Sequence, residues 1–230
     1  VGFNGNSFTS TGMIHILDIS NPSAPFRTAY VSDIGSYHQL IRKGEMLYVA
    51  GGNDGDFRRY DLDNPTSPLL TMHLNQPGYV EQVEVAGSQV FIRARQDHYG
   101  IYSGLWVYAL DDPEAPELDA VDNDLISIYD FQVSGSYVYL TGMSHLVIKN
   151  KATLSTVGSY SHSEGVMNNL AVQGNVAYVL VGYQDLYVFN VSDRAHPAFV
   201  KKTTVDAVGN LTDITSAGDR IYIVKQNDKF

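Results

Sequence analysis

The chain has 230 residues, a formal net charge of −10 and a pI near 5.0, the wrong sign for neutralising phosphates, which argues against nucleic acid and anionic membranes as partners. Its 44% hydrophobic and 11% aromatic content excludes a disordered polar chain, and the absence of cysteine excludes a disulfide framework, a thiolate metal site and a cysteine nucleophile. No apolar run approaches the roughly 20 residues of a transmembrane helix. A start at Val1 without a charged-then-apolar leader reads as a mature form or an excised domain whose targeting signal is missing. The low charged fraction of 17%, with many Tyr, Ser, Thr, Asn and Gly, leans towards a periplasmic, secreted or cell-surface setting.

In chain order, the first predicted strand is "GMIHILDIS" (12–20), followed by the turn "NPSAP" and a strand "FRTAYV" (26–31). A fuller unit comes next. "QLIRK" runs to Gly44, "GEMLYV" follows, then "FRRYDL" and a second proline turn, "NPTSP". The scheme returns as "QVEVA", "GSQVFI" and "LWVYAL" with "DDPEAP", then as "DFQVS", "GSYVYL" and "HLVIK". It returns again as "NLAVQ", "GNVAYV", "LYVFNV" and "AFVKKT", and the chain closes on "DITSA" and "GDRIYI". Alternating apolar and polar residues predict strands, and a glycine between two such runs predicts a hairpin. The residue before each proline is pushed to extended geometry, so the Asn-Pro and Asp-Pro pairs predict bends.

The hairpin glycines Gly44, Gly87, Gly135, Gly174 and Gly218 lie 43, 48, 39 and 44 residues apart. A period near 43 with four short strands per unit is the signature of β-propeller blades. No segment sustains the apolar spacing of a helical repeat, and a β-helix has a shorter coil.

On these motifs the chain resembles the LVIVD-repeat family. "LVI" stands at Leu146 to Ile148, with variants at "IHILDISNP", "LWVYALDDP" and "LYVFNVSDRAHP", and "GNVAYV" matches the family's hairpin. The fourth unit departs most, because "IKNKATLSTV" lacks the Asp and the proline, so its turn is expected to be irregular. The resemblance implies a propeller and an extracytoplasmic setting, with no common enzymatic activity.

The chain begins on a third strand and ends on an inner and a second strand. The expected fold is therefore all-β: one domain over 1–230, a five-bladed propeller of four-stranded antiparallel blades closed by a two-plus-two strand exchange between the termini. The blade units are approximately 38–74, 81–120, 129–160, 168–203, and 211–230 completed by 12–31, with residues 14–19 pairing with residues 221–224. Closure of this kind removes an open sheet edge. A fragment of a larger ring is the alternative.

Glycine hairpins and proline turns share one end of each blade. The opposite end carries the variable connections, where binding residues concentrate on a regular scaffold. Two groups of candidate residues lie there. Inner strands open with Gln39, Gln82, Asp130, Asn169 and Asp213, preceded by His38, Glu81, Tyr129, Asn168 and Thr212. Their side-chain oxygens suit a hard cation such as Ca²⁺ at Asp130, Asn169 and Asp213, or else cap backbone groups of their own or the neighbouring blade. The long connection "RARQDHYGIYSG" offers Arg93, Arg95, His98 and Tyr99 as a recognition surface.

No nucleophile elbow, zinc-protease motif or phosphate loop is present. The expected function is a non-catalytic binding or scaffold propeller, holding a protein, carbohydrate or ion, with no cofactor other than a possible Ca²⁺. The alternative is a glycoside-hydrolase-like enzyme using Glu81, Asp130 and Asp213, which requires two carboxyls about 5 to 10 Å apart.

Overall fold

A computed structural model describes residues 12–32, 37–51, 56–75, 78–95, 103–112, 117–122, 127–205 and 210–226, and every regular element among them is a β-strand. The strands are β1 (Ile14–Asp18), β2 (Phe26–Val31), β3 (Tyr37–Lys43), β4 (Met46–Gly51), β5 (Asp56–Asp61) and β6 (Leu69–Asn75). They continue as β7 (Tyr79–Ala86), β8 (Gln89–Arg95), β9 (Ser103–Ala109), β10 (Leu118–Asp122), β11 (Asp130–Ser134), β12 (Tyr137–Gly142), β13 (His145–Asn150) and β14 (Thr156–Ser161). The last are β15 (Met167–Gln173), β16 (Val176–Val181), β17 (Asp185–Asn190), β18 (Ala198–Thr204), β19 (Asn210–Ala217) and β20 (Arg220–Gln226).

Four four-stranded sheets follow in chain order, β3 to β6, β7 to β10, β11 to β14 and β15 to β18, each pairing sequence neighbours only. β1–β2 and β19–β20 each form a two-stranded sheet. The ladder expected between residues 14–19 and 221–224 is not among the strand pairings of the described residues: β1 pairs with β2, and β20 with β19. The described residues fall into two compact units, one drawn from 1–100 and 106–119, the other from 101–105 and 120–230.

Each first hairpin is a two-residue loop that opens on a glycine, at Gly44, Gly87, Gly135, Gly174 and Gly218, with φ between +58° and +68°. A Cβ at any of these would meet no atom within 4 Å, so backbone handedness fixes the residue, not space. Positive φ at the first loop position matches the right-handed strand twist.

The proline turns recur for a second local reason. Asp18 Oδ1 accepts from Ser20 N at 2.7 Å and Asp61 Oδ1 from Asp63 N at 2.8 Å, while Asn190 Oδ1 accepts from Ser192 N at 2.9 Å. These side chains mimic a turn and stop the third strand. In the fourth unit Asn150 takes over the role, accepting from Ala152 N at 2.9 Å, and the following turn carries Leu154 at φ +54°. The acceptor survives the loss of Asp, and the turn without proline is irregular as expected.

Within the first unit, Tyr48, Phe57 and Met72 of one sheet pack on Val80, Val83, Ile92 and Trp106 of the next. In the second unit, Tyr139, Leu146 and Ile148 pack on Met167, Val179, Tyr187 and Phe189. Burial of each such side chain contributes about 1.5 to 3 kcal/mol. The repeated aromatic of the second strand is buried at Tyr48, Phe91 and Tyr139, half-buried at Tyr178, and 52% exposed at Tyr222 in the two-stranded sheet β19–β20.

The third strands share a bulge, between Ile16 and Leu17, Arg59 and Tyr60, Ile148 and Lys149, and Val188 and Phe189. A bulge breaks the alternation of faces. Beside two of these bulges consecutive residues are both buried, Arg59 with Tyr60 and Ile148 with Lys149, because both faces of the sheets are covered.

Candidate functional site

The inner strands are irregular at the positions singled out by sequence. Register shifts lie between Tyr37 and Gln39, Val80 and Gln82, Met167 and Leu170, and Leu211 and Asp213. His38, Glu81, Asn168 with Asn169, and Thr212 are the residues that these bulges leave out of register. Bulges turn side chains off the regular pleat, and the second-strand partners continue past them.

The side chains that follow tie one inner strand to the next. Gln39 Oε1 accepts from Val83 N at 2.7 Å. Asp130 Oδ2 accepts from Leu170 N at 2.7 Å, and its Oδ1 from Phe131 N at 2.8 Å. Two residues further along, Gln132 Oε1 accepts from Val172 N at 2.6 Å. Asp213 Oδ1 accepts from its neighbour Ile214 N at 2.8 Å. Asn168 Nδ2 donates to Gly182 O at 2.7 Å, and its own carbonyl accepts from Thr141 Oγ1 at 2.6 Å. Gln82 and Asn169 are half-buried beside these ties, and Tyr129 is exposed, its backbone N–H donating to Thr141 O at 2.8 Å. The backbone of His38 lies in β3, while its side chain falls outside the described residues.

Glu81 sits between two guanidiniums: Arg93 Nη1 reaches Oε2 at 3.0 Å and Arg95 Nε reaches Oε1 at 3.1 Å. Arg95 also stands 5.3 Å over the Tyr79 ring. Both arginines are therefore strand residues of β8, not loop residues, and they face the inner-strand carboxylate. His98 and Tyr99 lie outside the described residues. Among the described residues, no group of three or more His, Asp or Glu side chains is arranged to hold a metal ion.

A cluster that sequence reasoning missed stands at the variable-connection end of the second unit. Asp185 and Tyr187 of β17 oppose Thr204 and Lys202 of β18. Lys202 Nζ lies 3.0 Å from Asp185 Oδ2 and 5.6 Å from the Tyr187 ring centroid. Glu164, on the connection from β14 to β15, accepts from the Tyr187 hydroxyl at 2.8 Å, and its backbone N–H donates to His162 Nδ1 at 2.8 Å. The His162 ring is 5.3 Å from that of Tyr187, and Tyr160 and Phe199 pack edge-on against Phe189 at 5.0 and 5.9 Å.

Each titration in the cluster has a visible cause. The Tyr187 hydroxyl and then the Lys202 charge hold Glu164 below its ordinary value. Burial first, and then the hydrogen bond to Glu164, push Tyr187 up. Asp185 holds Lys202 up. Burial pushes Asp185 up, but hydrogen bonds from Lys202 and Thr204 outweigh it and leave Asp185 lowered. Burial depresses His162, against the Glu164 charge, and its Nε2 is a buried atom without a hydrogen-bond partner among the described residues. The alternation Asp185–Tyr187 opposite Lys202–Thr204 was the sequence signal available, but its strength depends on cross-strand register.

Three solved structures share the architecture. BamB from Moraxella catarrhalis superposes at a TM-score of 0.63 with 13% identity, covering 94% of this chain and 62% of that one. A protein from Lactobacillus plantarum gives 0.70 and 15%, covering 90% and 68%. Hsv2 from Kluyvelomyces marxianus gives 0.67 and 11%, covering 93% and 70%. The chain thus spans about two thirds of these structures, and BamB and Hsv2 are β-propellers. No curated protein sequence matches the chain. The family model described as LVIVD repeat matches residues 9–33 and 164–205, the second stretch holding Glu164, Asp185, Tyr187 and Lys202 but not His162. With its strand order, its hairpin glycines and these matches, the chain has a β-propeller fold and carries LVIVD repeats over these two stretches.

Proposed function

We propose that the protein is a non-catalytic, single-domain binding propeller that works outside the cytoplasm and recognises a protein ligand on its variable-connection end, with a carbohydrate or a hard cation as the readings to be separated from it. The observation that carries this reading is the engagement of the inner-strand carboxylates. Glu81 spends one oxygen on each of two guanidiniums, and Asp130 spends one on each of two backbone amides. Such contacts position backbone and strands. A glycosidase acid must instead carry a proton and face its substrate. The Glu164–Tyr187–Lys202 cluster supplies an exposed carboxylate and an exposed ammonium braced by the buried Tyr187, charged tips that a recognition surface can use, on the end of the fold where connections vary. No helix among the described residues is long and apolar enough to cross a membrane.

The experiment is a thermal-shift screen of the intact chain against a glycan panel and CaCl₂, paired with a turnover assay on the same panel. A ligand that binds only the native state raises the transition temperature. The binding reading expects no turnover by wild type. Glycan hydrolysis that disappears in both Glu81→Gln and Asp130→Asn overturns it in favour of the hydrolase. A calcium-dependent shift that is lost in Asp130→Asn and Asp213→Asn assigns the inner-strand oxygens to a cation.

A further inference from the structure

We propose that a groove at the hairpin-and-turn end of the first unit, centred on Arg59, is a binding site for a small aliphatic carboxylate. The argument begins with the repeat. The backbone N–H groups of Leu62, Leu110, Lys151 and Val191 each donate to the carbonyl of the second hairpin residue, at Glu45, Ser88, Ser136 and Asn175. These four residues are therefore equivalent, and three positions earlier stand Arg59, Val107, Ile148 and Val188. The shared bulge adds Ile16. Four copies carry an aliphatic side chain at this position, and one carries a guanidinium.

Arg59 is only 5% exposed. Its Nε donates to Thr71 Oγ1 at 3.0 Å, and the Thr71 hydroxyl donates back to the Arg59 carbonyl at 3.2 Å, which satisfies the threonine and one of five guanidinium N–H groups. Among the described residues no carboxylate oxygen lies within 4.0 Å of the guanidinium. Asp61, which lines the same groove, gives Oδ1 to the amide of Asp63 in its own turn. A buried cation without a counter-charge is unfavourable, and an arriving carboxylate removes that cost by pairing with the remaining N–H groups in a two-pronged contact.

The surroundings specify the rest of the ligand. The groove holds about 520 Å³, within the size range of small-molecule sites, and its other walls are Met46, Leu69, Leu70 and Leu110. Leu69 and Leu70 are 64% and 46% exposed, apolar surface that a hydrocarbon tail would cover. The chain's net charge of −10 opposes multiply charged anions, so a single carboxylate on an aliphatic chain fits better than a phosphate. The carboxylate could belong to a free acid or to the end of an apolar peptide, and the two sources share this chemistry.

The test is calorimetric titration of the intact chain with hexanoate, with 1-hexanol and hexylamine supplying the same tail without the anion. Acetyl-Leu-Leu with a free or an amidated C-terminus distinguishes the source. Wild type is expected to bind hexanoate and neither neutral nor cationic analogue. Arg59→Leu restores the residue type of the other repeats, is expected to fold, and should weaken hexanoate at least tenfold, while Arg59→Lys retains part of the affinity. If the free-acid peptide binds at least as well as hexanoate and its amide does not, the chain end is the source, and the site stands. Equal binding of hexanol, unchanged affinity in Arg59→Leu, or no binding of any carboxylate overturns the proposal. None of these results bears on the variable-connection end, which lies at the other end of the strands.

Discussion

Lys149 and Arg59 are buried cations in third strands of the two units, both beside the shared bulge, and they differ in what answers their charge. Lys149 replaces an aromatic or aliphatic side chain, since the equivalent residues are Leu17, Tyr60, Tyr108 and Phe189. Asp122 comes within 2.6 Å of its ammonium, and both side chains are about 2% exposed. The carboxylate arrives with the chain. Arg59 has a threonine and an open groove instead. A charge that folding neutralises is part of the scaffold, whereas a charge that no carboxylate of the described residues answers is available to something else.

Substitutions can break or sharpen this contrast. The largest effect belongs to Asp122→Ala, which strands Lys149 in a dry site and should cost about 3 to 5 kcal/mol in urea unfolding, with Asp122→Leu/Lys149→Met recovering most of it. Asp130→Ala removes a carboxylate from two amides and should cost about 2 kcal/mol. Arg59→Leu should go the other way and raise stability by about 1 kcal/mol, because it removes a buried charge that no carboxylate of the described residues pairs with. A loss of 3 kcal/mol there would mean that Arg59 belongs with Lys149 after all.

The smallest effect is a pH dependence at His162. Burial lowers its pKa in the folded chain below the ordinary 6.5, with Glu164 opposing and Lys202 and His145 reinforcing the shift. As pH falls through 6.5 the unfolded ring takes up a proton first, so the unfolded state binds more protons and stability declines. The decline stops once pH is below the folded pKa. Titrating the thermal midpoint of wild type against His162→Gln from pH 8 to pH 5 should show this slope in wild type only.

What the sequence made readable was the part with local causes. Gly44 and its four equivalents stand where a two-residue loop needs positive φ, and Asp18, Asp61 and Asn190 stand where a strand must stop; each is decided within a few residues. Gln39 and Asp130 were visible as inner-strand polar residues, and the capping role foreseen as one of their two readings is what their hydrogen bonds perform. The arginines of β8 were visible as a pair but not as partners of Glu81, since that contact depends on a bulge in β7. Arg59 and Lys149 were hidden for another reason. Both faces of these sheets are covered, as the unbroken burial of Leu47, Tyr48, Val49 and Ala50 shows, so whether a third-strand charge is buried is decided by what packs on its face and not by its own alternation.

The inner-strand ties also bear on how the chain acquires its structure. Gln39 reaches Val83, Asp130 reaches Leu170 and Gln132 reaches Val172, and Gln173 reaches the carbonyl of Gly218. Among the described residues each of these ties spans one repeat, and strand pairing within sheets is between neighbours in sequence. For these contacts loop closure is about one blade long, which keeps the entropic cost of each such step small. Assembly can proceed as a line of nearest-neighbour events, in which a finished sheet presents the amides that the preceding side chains need, so that order spreads along the polypeptide in the manner of a zipper.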